Sequence, residues 1–204
     1  MISLSLSNIK KFFNNRKVID NISLDLSSPF CLGITGKNGA GKSTLIKIIA
    51  GVLEPSYGKV EYKLGNKKTT LSQLLPKIGF AAPYLNLYDE FTALENIIIY
   101  DEIRGLRKKE ADYSEILKKI DLFERRRDLL KTFSSGMKQR LKIAVAISNN
   151  PSLLLLDEPS QNLDESGIQM VHDVVNEYKK KSIVIVCSND KNDYCLFDET
   201  IKLG

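Results

Sequence analysis

The sequence predicts an α/β fold with a mixed, largely parallel sheet at its core, an antiparallel β layer at the N-terminus and an inserted helical subdomain. Three observations lead to this class. Short apolar strands, such as residues 153–156, alternate with helical segments, as in parallel sheets covered on both faces. A glycine-rich stretch at residues 36–44 joins one such strand to a helix. The N-terminal segment alternates apolar and polar residues, as half-buried antiparallel strands do.

The size and composition are those of one globular unit. The chain has 204 residues, of which 43% are hydrophobic and 27% charged. We predict a single domain, 1–204, with a core subdomain at 1–81 and 136–204 and a helical subdomain at 82–135. No apolar run approaches the ~20 residues that span a bilayer, and the N-terminus does not resemble a secretion signal. These features predict a cytoplasmic protein.

Charge and cysteine content limit the possible partners. The formal net charge is +5, gathered partly in runs at residues 107–109, 125–127 and 179–181. Such runs favour an anionic partner or a membrane surface, or they are simply solvated helix faces. No nucleic-acid motif accompanies them, so we expect no nucleic-acid partner. The three cysteines, Cys31, Cys187 and Cys195, have no metal or redox spacing, and Cys31 and Cys187 are expected to be core thiols.

The first elements follow from hydrophobic period and turn residues. Residues 4–9 and 18–26 are predicted as strands of the antiparallel layer, joined by a turn at Asn14 and Asn15. Residues 30–35 are predicted as a buried strand, and residues 42–50 as a helix closed by Gly51. Residues 82–132 are predicted to be mostly helical.

The remaining elements return to the strand and helix alternation. A helix at residues 135–148 precedes a break at Pro151, and a helix at about 167–180 separates two apolar strands. The strands predicted in this half are residues 153–156, 182–187 and 200–203. Only fifteen residues follow Asn189, so we expect no regulatory appendage.

The segment GKNGAGKST has the spacing of a phosphate-binding loop. Gly36, Gly41, Lys42 and Ser43 satisfy G-x-x-x-x-G-K-[ST], with a strand before and a helix after. Glycines let backbone N–H groups turn toward phosphate oxygens, and the helix start adds its positive dipole end. Lys42 adds a full positive charge, and the Ser43 hydroxyl can ligate Mg²⁺. The predicted nucleotide-binding residues here are Gly36, Lys37, Asn38, Gly39, Ala40, Gly41, Lys42, Ser43 and Thr44.

Two carboxylates follow the apolar strand at residues 153–156. In open parallel sheets, ligands bind at the carboxyl ends of the strands. We therefore predict that Asp157 holds Mg²⁺ and that Glu158 polarises the attacking water or takes its proton. An ordinary acidic strand exit is the alternative.

The stretch FSSGMKQR, residues 133–140, resembles the signature of ATP-binding cassette (ABC) proteins. SQNLD, residues 160–164, resembles their D-loop, and with the phosphate loop and LLLLDEP the resemblance covers nearly the whole chain. It implies a P-loop NTPase of the ABC type that binds ATP with Mg²⁺. The ending MKQRL resembles exporter-type subunits whose membrane domain is a separate polypeptide.

The resemblance also implies a partner for the signature. In the family two subunits pack head to tail, and each phosphate loop faces the other subunit's signature across ATP. Ser134 and Gly136 would bind that nucleotide, and Asp164 would act across the interface. A plain helix cap is the alternative for Ser134. The protein is then expected to lie on the inner face of the cell membrane, in contact with it only through a membrane subunit.

Two further contacts are implied in the same way. Phe12 matches the aromatic residue that stacks on adenine in relatives, Phe13 is its neighbouring candidate, and a core role is the alternative for both. Residues 81–91 occupy the family's Q-loop region, where a membrane subunit docks. Tyr84, Leu85, Tyr88 and Phe91 would supply that groove, or pack internally.

Three positions depart from the family pattern. Pro83 stands where the Q-loop glutamine is expected, and proline cannot replace its amide. Asn189 stands at the switch histidine; it can hydrogen-bond a phosphate but carries neither proton nor charge. Ser135 replaces the first signature glycine. His172, the only histidine, is expected to be exposed rather than catalytic.

These observations support a leading hypothesis and two alternatives. The leading one is the ATPase subunit of an exporter-type ABC transporter, with Glu158, Lys42 and Asn189 as catalytic residues. The first alternative is an ATP-gated dimerising module with weak or no hydrolysis, the degenerate half of a heterodimer. The second is a soluble ABC ATPase that does not serve transport.

Overall fold

The computed structural model describes residues 1–204 and contains two sheets. The first is a four-stranded antiparallel sheet of order β2-β1-β4-β5. Its strands are β1 (Ile2–Phe13), β2 (Arg16–Ser27), β4 (Tyr57–Leu64) and β5 (Lys67–Thr69). Because β1 alternates apolar and polar residues, Ile2, Leu4 and Leu6 are buried while the serines between them are half-exposed. The predicted N-terminal β layer is confirmed.

The second sheet is parallel throughout and has the order β6-β7-β8-β3-β9. Its strands are β3 (Phe30–Gly36), β6 (Ile78–Ala81), β7 (Leu153–Asp157), β8 (Ile183–Cys187) and β9 (Glu199–Leu203). Every residue of β7 and β8 is buried, as their continuous apolar sequences predict. The ends of β3, β7 and β8 therefore bring residues 36, 157 and 187 to one edge of the sheet.

Six α-helices complete the fold. They are α1 (Lys42–Ile49), α2 (Leu71–Leu74), α3 (Ala93–Ile103), α4 (Glu110–Lys119), α5 (Ser135–Ile147) and α6 (Glu165–Tyr178). None of these helices combines the length and the apolar character needed to cross a membrane.

The parallel sheet separates two apolar cores. Leu153 and Leu155 of β7 face a core shared with α1 and the antiparallel sheet. Leu154 and Leu156, between and after them, face a core shared with α3 to α6. Helices 3 and 4 thus pack into the same core as the sheet, and the division into a core and a helical subdomain stays a prediction.

Most predicted elements are confirmed within one or two residues, but four were not predicted. These are β4, β5, β6 and α2. The sequence of β4, YGKVEYKL, carries three charged residues and has only one buried residue, and it becomes a strand because β1 and β5 supply its hydrogen bonds. Strand β6 has only four residues and is defined by its pairing with β7.

Candidate nucleotide site

The phosphate loop connects β3 to α1 at the carboxyl edge of the parallel sheet. Gly36 has a φ of 142°, and a Cβ there would lie 2.3 Å from the carbonyl oxygen of Leu203. Gly41 has a φ of 99°, and its Cβ would lie 2.9 Å from the carbonyl oxygen of Val18. Both positions therefore require glycine, for backbone conformation and for space.

The first turn of α1 has no side chain to cap it. Its N-cap residue is Gly41, which offers no hydrogen-bonding group, whereas Thr92, Ser134 and Asp164 cap α3, α5 and α6. The N–H groups at the start of α1 are thus available to an anion, and the helix dipole favours one there.

Lys42 is held inside this site. Its side chain is only 5% exposed, and Nζ donates to the carbonyl oxygen of Gly36 at 2.9 Å. The same Nζ lies 3.3 Å from Oε1 of Glu158. The cation of the phosphate loop and the carboxylate after β7 therefore border the same space.

Asp157 fits a bound cation. It is 1% exposed, and the hydroxyls of Ser43 and Tyr84 lie near its carboxylate but make no well-aligned hydrogen bond to either oxygen. Burial raises its pKa, although the hydroxyls of Ser43 and Tyr84 and the cations of Lys42 and Lys47 oppose this. A buried carboxylate without a partner is costly, and a Mg²⁺ ion held between Asp157, Ser43 and phosphate oxygens would satisfy it.

Tyr84 reaches the same carboxylate from the turn after β6. Its ring lies beneath Lys47, whose Nζ is 3.9 Å from the ring centroid. Burial, and then the nearby Asp157, raise the pKa of the Tyr84 hydroxyl. Pro83, at the position of the expected glutamine, uses its carbonyl oxygen to accept from Nζ of Lys142 at 2.5 Å. The hydroxyl of Tyr84 therefore lies next to Asp157. The sequence analysis did not predict this contact.

Glu158 has an unusual backbone and a specific support. Its φ is 47°, a left-handed conformation that is uncommon for a residue other than glycine. Nε2 of Gln139 on α5 donates to the carbonyl oxygen of Pro159 at 3.0 Å and lies 3.4 Å from that of Glu158. The turn that presents Glu158 is thus tied to the helix that begins at the signature.

Asn189 contacts the phosphate loop directly. Its Nδ2 donates to Oδ1 of Asn38 at 2.8 Å. Both amides line a polar pocket of about 280 Å³ with Glu158, Ser160, Gln161, Ser188 and Asp190, and no apolar residue lines it. We call it the catalytic pocket.

The signature lines a second pocket. Ser134 caps α5 by accepting from the N–H of Met137 at 3.2 Å, and it remains exposed. A Cβ on Gly136 would lie 2.9 Å from the carbonyl oxygen of Asn162, so this position requires a small residue. Ser134, Ser135 and Gly136 line an open pocket of about 480 Å³ with Arg125, Arg140 and residues 162–164. We call it the signature pocket.

Asp164 is fixed between the signature helix and α6. It accepts from the N–H of Gly167 at 2.9 Å and from Arg140 at 3.0 Å. The Gly167 N–H and then Arg140 and Ser166 lower the pKa of Asp164. The loop of residues 159–164 thereby runs from the catalytic pocket to the signature pocket, bordering each with a different part.

Phe12 lies in a groove on the antiparallel sheet. Its ring packs edge-on against Tyr57, with centroids 6.2 Å apart, and no residue of the phosphate loop lines this groove. Phe13 is 45% exposed and lies beneath Nζ of Lys11. The stacking of either ring on adenine stays a prediction.

The surroundings of His172 differ from the expectation. The side chain is only 15% exposed, and Nε2 lies 3.1 Å from Oδ1 of the buried Asp193. The prediction of an exposed histidine is wrong, because this face of α6 packs against the chain that follows β8. Cys31 and Cys187 are buried as predicted.

The geometry agrees with comparisons to known proteins. The family model described as "ABC transporter" matches residues 19–161. This chain belongs to that family. It is an ABC ATPase domain, with a P-loop NTPase fold.

Two similar proteins are named as transport ATP-binding proteins. The bacitracin transport ATP-binding protein BcrA of Bacillus licheniformis is 33% identical over 187 residues, which are 91% of this chain and 61% of that protein. The lantibiotic transport ATP-binding protein SrtF of Streptococcus pyogenes is 32% identical over 186 residues, covering 91% and 79%. This chain thus spans about three fifths of the first relative's length and four fifths of the second's.

Solved structures share the whole architecture. The dimeric structure of MJ0796, a bacterial ABC transporter cassette, matches with a TM-score of 0.85 and 28% identity over 98% of this chain and 94% of that one. A dimeric post-hydrolysis state of MJ0796 bound to ADP and Pi matches with a TM-score of 0.85 and 27% identity over the same shares.

Proposed function

We propose that this chain is the ATP-hydrolysing subunit of an exporter-type transporter, in which ATP closes a head-to-tail dimer and hydrolysis reopens it. The observation that carries the proposal is the pair of pockets bordered by the 159–164 loop. The catalytic pocket is lined by Glu158 and by the side-chain amide of Asn38 in the phosphate loop. The other holds the signature serines but no phosphate loop. Each is half of a site, and a second subunit turned by 180° completes both.

The residues divide the chemistry among them. The start of α1 and Lys42 bind the phosphates, and Ser43 with Asp157 would hold Mg²⁺. When bound, the ion neutralises charge that develops on the phosphate oxygens. Glu158 orients the attacking water and accepts its proton, and the amide of Asn189 donates to the γ-phosphate. Ser134 and the backbone around Gly136 bind the same phosphate from the partner subunit.

An aromatic surface beside the site suits a membrane subunit. Tyr84, Tyr88, Phe91 and Leu129 are each 37–44% exposed, and they lie at or beside the turn that connects β6 to α3. Tyr84 also reaches Asp157, so docking here would act on the nucleotide site. This partner would hold the protein on the inner face of the membrane. The relatives' names, which specify bacitracin transport and lantibiotic transport, favour an antibiotic as the transported substrate.

Asn189 favours a second candidate, a dimerising module with weak hydrolysis. Its amide already pairs with Asn38 at 2.8 Å, and it cannot supply a positive charge to the transition state. Binding and dimer closure need only the phosphate loop and the signature. ATP binding and dimer closure would therefore persist even if ATP turnover were low. The chain would then be the less active subunit of a heterodimer.

Steady-state ATPase assays and size-exclusion chromatography of Glu158→Gln separate the two candidates. We expect turnover to fall about 10²- to 10⁴-fold with loss of the base. With ATP the variant should elute as a dimer, at about twice the 23.0 kDa of the chain. Glu115→Gln, a change at an exposed residue of α4, is the matched control.

The outcomes test both the assigned base and the choice between the candidates. Unchanged turnover and unchanged dimerisation in Glu158→Gln would refute Glu158 as the base. Slow turnover in the wild type, with ATP-dependent dimerisation intact, would favour the weakly hydrolysing module. Membrane recovery of the wild type only when a membrane protein encoded beside it is co-expressed would support the transport role, and recovery with ribosomes would contradict it.

A further inference from the structure

A buried carboxylate outside the proposed chemistry joins three segments around the site. Asp193 is 0% exposed and lies in a short 3-10 helix, Lys191–Leu196, that follows β8. Its Oδ1 lies 2.9 Å from Oγ of Ser160 and 3.1 Å from Nε2 of His172. Its Oδ2 lies 2.6 Å from Oγ of Ser188. We call these four side chains the Asp193 cluster.

The hydrogen-bonding roles in this cluster are set by the carboxylate. An ionised carboxylate only accepts, so both serine hydroxyls donate to Asp193 and Nε2 of His172 carries the proton that faces it. The Ser188 hydroxyl in turn accepts from the N–H of Asp190 at 3.0 Å. Hydrogen bonds to a buried charge are stronger than neutral ones, so the cluster fixes the positions of its members.

The partners of Asp193 belong to segments that border the proposed site. Ser160 lies two residues after Glu158, in the 159–164 loop that borders both pockets. Ser188 immediately precedes Asn189, whose amide contacts the phosphate loop. His172 lies on α6, the helix that Asp164 caps. The cluster therefore connects the 159–164 loop with Asn189, the residue proposed to contact the γ-phosphate.

We propose that Asp193 is a positioning residue for ATP hydrolysis, whose carboxylate couples Ser160 of the 159–164 loop to Ser188 and so sets the place of Asn189. His172 completes the cluster by holding the same carboxylate from α6. A second subunit that presses on the loop shifts Ser160, and the shift reaches Asn189 through one buried group. This inference rests on the proposed roles of Glu158 and Asn189.

The chain offers matched controls for a merely structural role. Asp101 is also 0% exposed and accepts from Oγ of Ser148 at 2.6 Å, between α3 and α5. Ser182 is 1% exposed, and its hydroxyl donates to the carbonyl oxygen of Pro151 at 2.7 Å, at the opposite end of β8. Neither residue lines the catalytic or the signature pocket.

Steady-state kinetics distinguish positioning from folding. In Asp193→Asn and Ser188→Ala we expect kcat to fall about 10- to 100-fold, since a displaced catalytic group costs that much. The KM for ATP should stay within about twofold, because Lys42 and the start of α1, which bind the phosphates, are unchanged. Asp101→Asn and Ser182→Ala should lower the melting temperature but leave kcat near the wild-type value. Equal losses of kcat in the cluster variants and the controls would overturn the inference.

A double variant tests the route through Asn189. If Ser188 acts through Asn189, adding Ser188→Ala to Asn189→Ala should change kcat by less than about twofold. Independent, multiplicative losses would overturn the coupling, and so would an Asn189→Ala variant with wild-type kcat. Assaying Glu158→Gln in parallel distinguishes a failure of the proposed function from a failure of the Asp193 inference. Loss of turnover in Glu158→Gln, with no effect of the cluster variants, would retain the proposed function and reject the inference.

The single histidine provides a readout that does not depend on turnover. With ring-¹³C histidine the chain should give one Hε1 resonance, that of His172. In the Glu158→Gln background we expect this resonance to shift when Mg-ATP is added, because closure moves the carboxylate that His172 holds. Adding Ser160→Ala should abolish most of that shift while ATP-dependent dimerisation persists. An unchanged resonance on dimerisation would overturn the proposal.

Discussion

Asp157 shows at the scale of one residue how a binding site costs stability. Folding buries this carboxylate, and the nearby hydroxyls of Ser43 and Tyr84 make no well-aligned hydrogen bond to it. Its pKa is raised from the ordinary 3.8, so burial outweighs the favourable neighbours. A raised carboxylate pKa means that the folded protein binds the proton more tightly than the unfolded chain does. The stabilising effect of that proton is complete below pH 3.8 and is lost as the pH rises through the folded pKa.

Asp157→Asn should therefore stabilise the chain in the absence of nucleotide. The amide keeps the shape and removes the buried charge, and we expect the free energy of unfolding at neutral pH to rise by about 1 kcal/mol. The stabilisation that Mg-ATP adds should fall in the same variant. Urea unfolding with and without Mg-ATP measures both effects. Asp157→Asn that is less stable than the wild type without nucleotide would contradict this account.

At the scale of the element, the helices differ in how their first turns are capped. Helix α3 begins with a reciprocal capping box, in which Thr92 and Glu95 each accept from the other's backbone N–H at 3.2 and 2.8 Å. Helix α5 is capped by Ser134 alone, and its first turn faces the signature pocket. Helix α1 has no cap at all. The helix that is least satisfied by its own side chains is the one at the proposed phosphate site.

Ser134→Ala and Thr92→Ala form a matched pair of predictions. Each removes one N-cap hydroxyl and should lower the free energy of unfolding by about 1 kcal/mol. Only Ser134→Ala should also weaken ATP-dependent dimerisation, because only this hydroxyl borders the signature pocket. Urea unfolding and size-exclusion chromatography of Glu158→Gln carrying each change measure the two effects. Equal dimerisation of the two variants would reduce Ser134 to a helix cap.

The parallel sheet organises the whole molecule by dividing its interior. Consecutive residues of a strand face opposite sides, so Ile183 lies in the core shared with α1 and Val184 in the core shared with α3 to α6. Both are 0% exposed. The proposed catalytic groups follow the strands at the carboxyl edge of the sheet.

Two separate cores predict additive losses across the sheet. Ile183→Val should cost about 1 kcal/mol and Val184→Ala about 2 kcal/mol, and the double variant should match their sum within about 0.5 kcal/mol. Val184→Ala with Val186→Ala, a pair in the same core, should deviate more from additivity. Urea unfolding of the five variants tests this. Strong coupling between Ile183 and Val184 would contradict the division.

The sequence by itself determined the features that are local. The phosphate loop, the Asp157 and Glu158 pair and the signature each lie within nine consecutive residues or fewer, and the continuous apolar strands predicted the parallel sheet. The residues of each motif are close in the sequence, so the geometry of the loop or helix start that contains them places them close together in space. The family membership that these motifs predicted is confirmed.

Only the tertiary structure decided how distant polar side chains meet. Asn38 and Asn189 are 151 positions apart, and Ser160 and Asp193 are 33 apart. Such contacts leave no period in the sequence, since each partner is a single polar residue whose surroundings come from other elements. The exposure of His172 was predicted wrongly for this reason. Strand β4 and the short strand β6 were missed similarly. Each is defined by hydrogen bonds to a strand far along the chain, β1 for β4 and β7 for β6, rather than by local propensity.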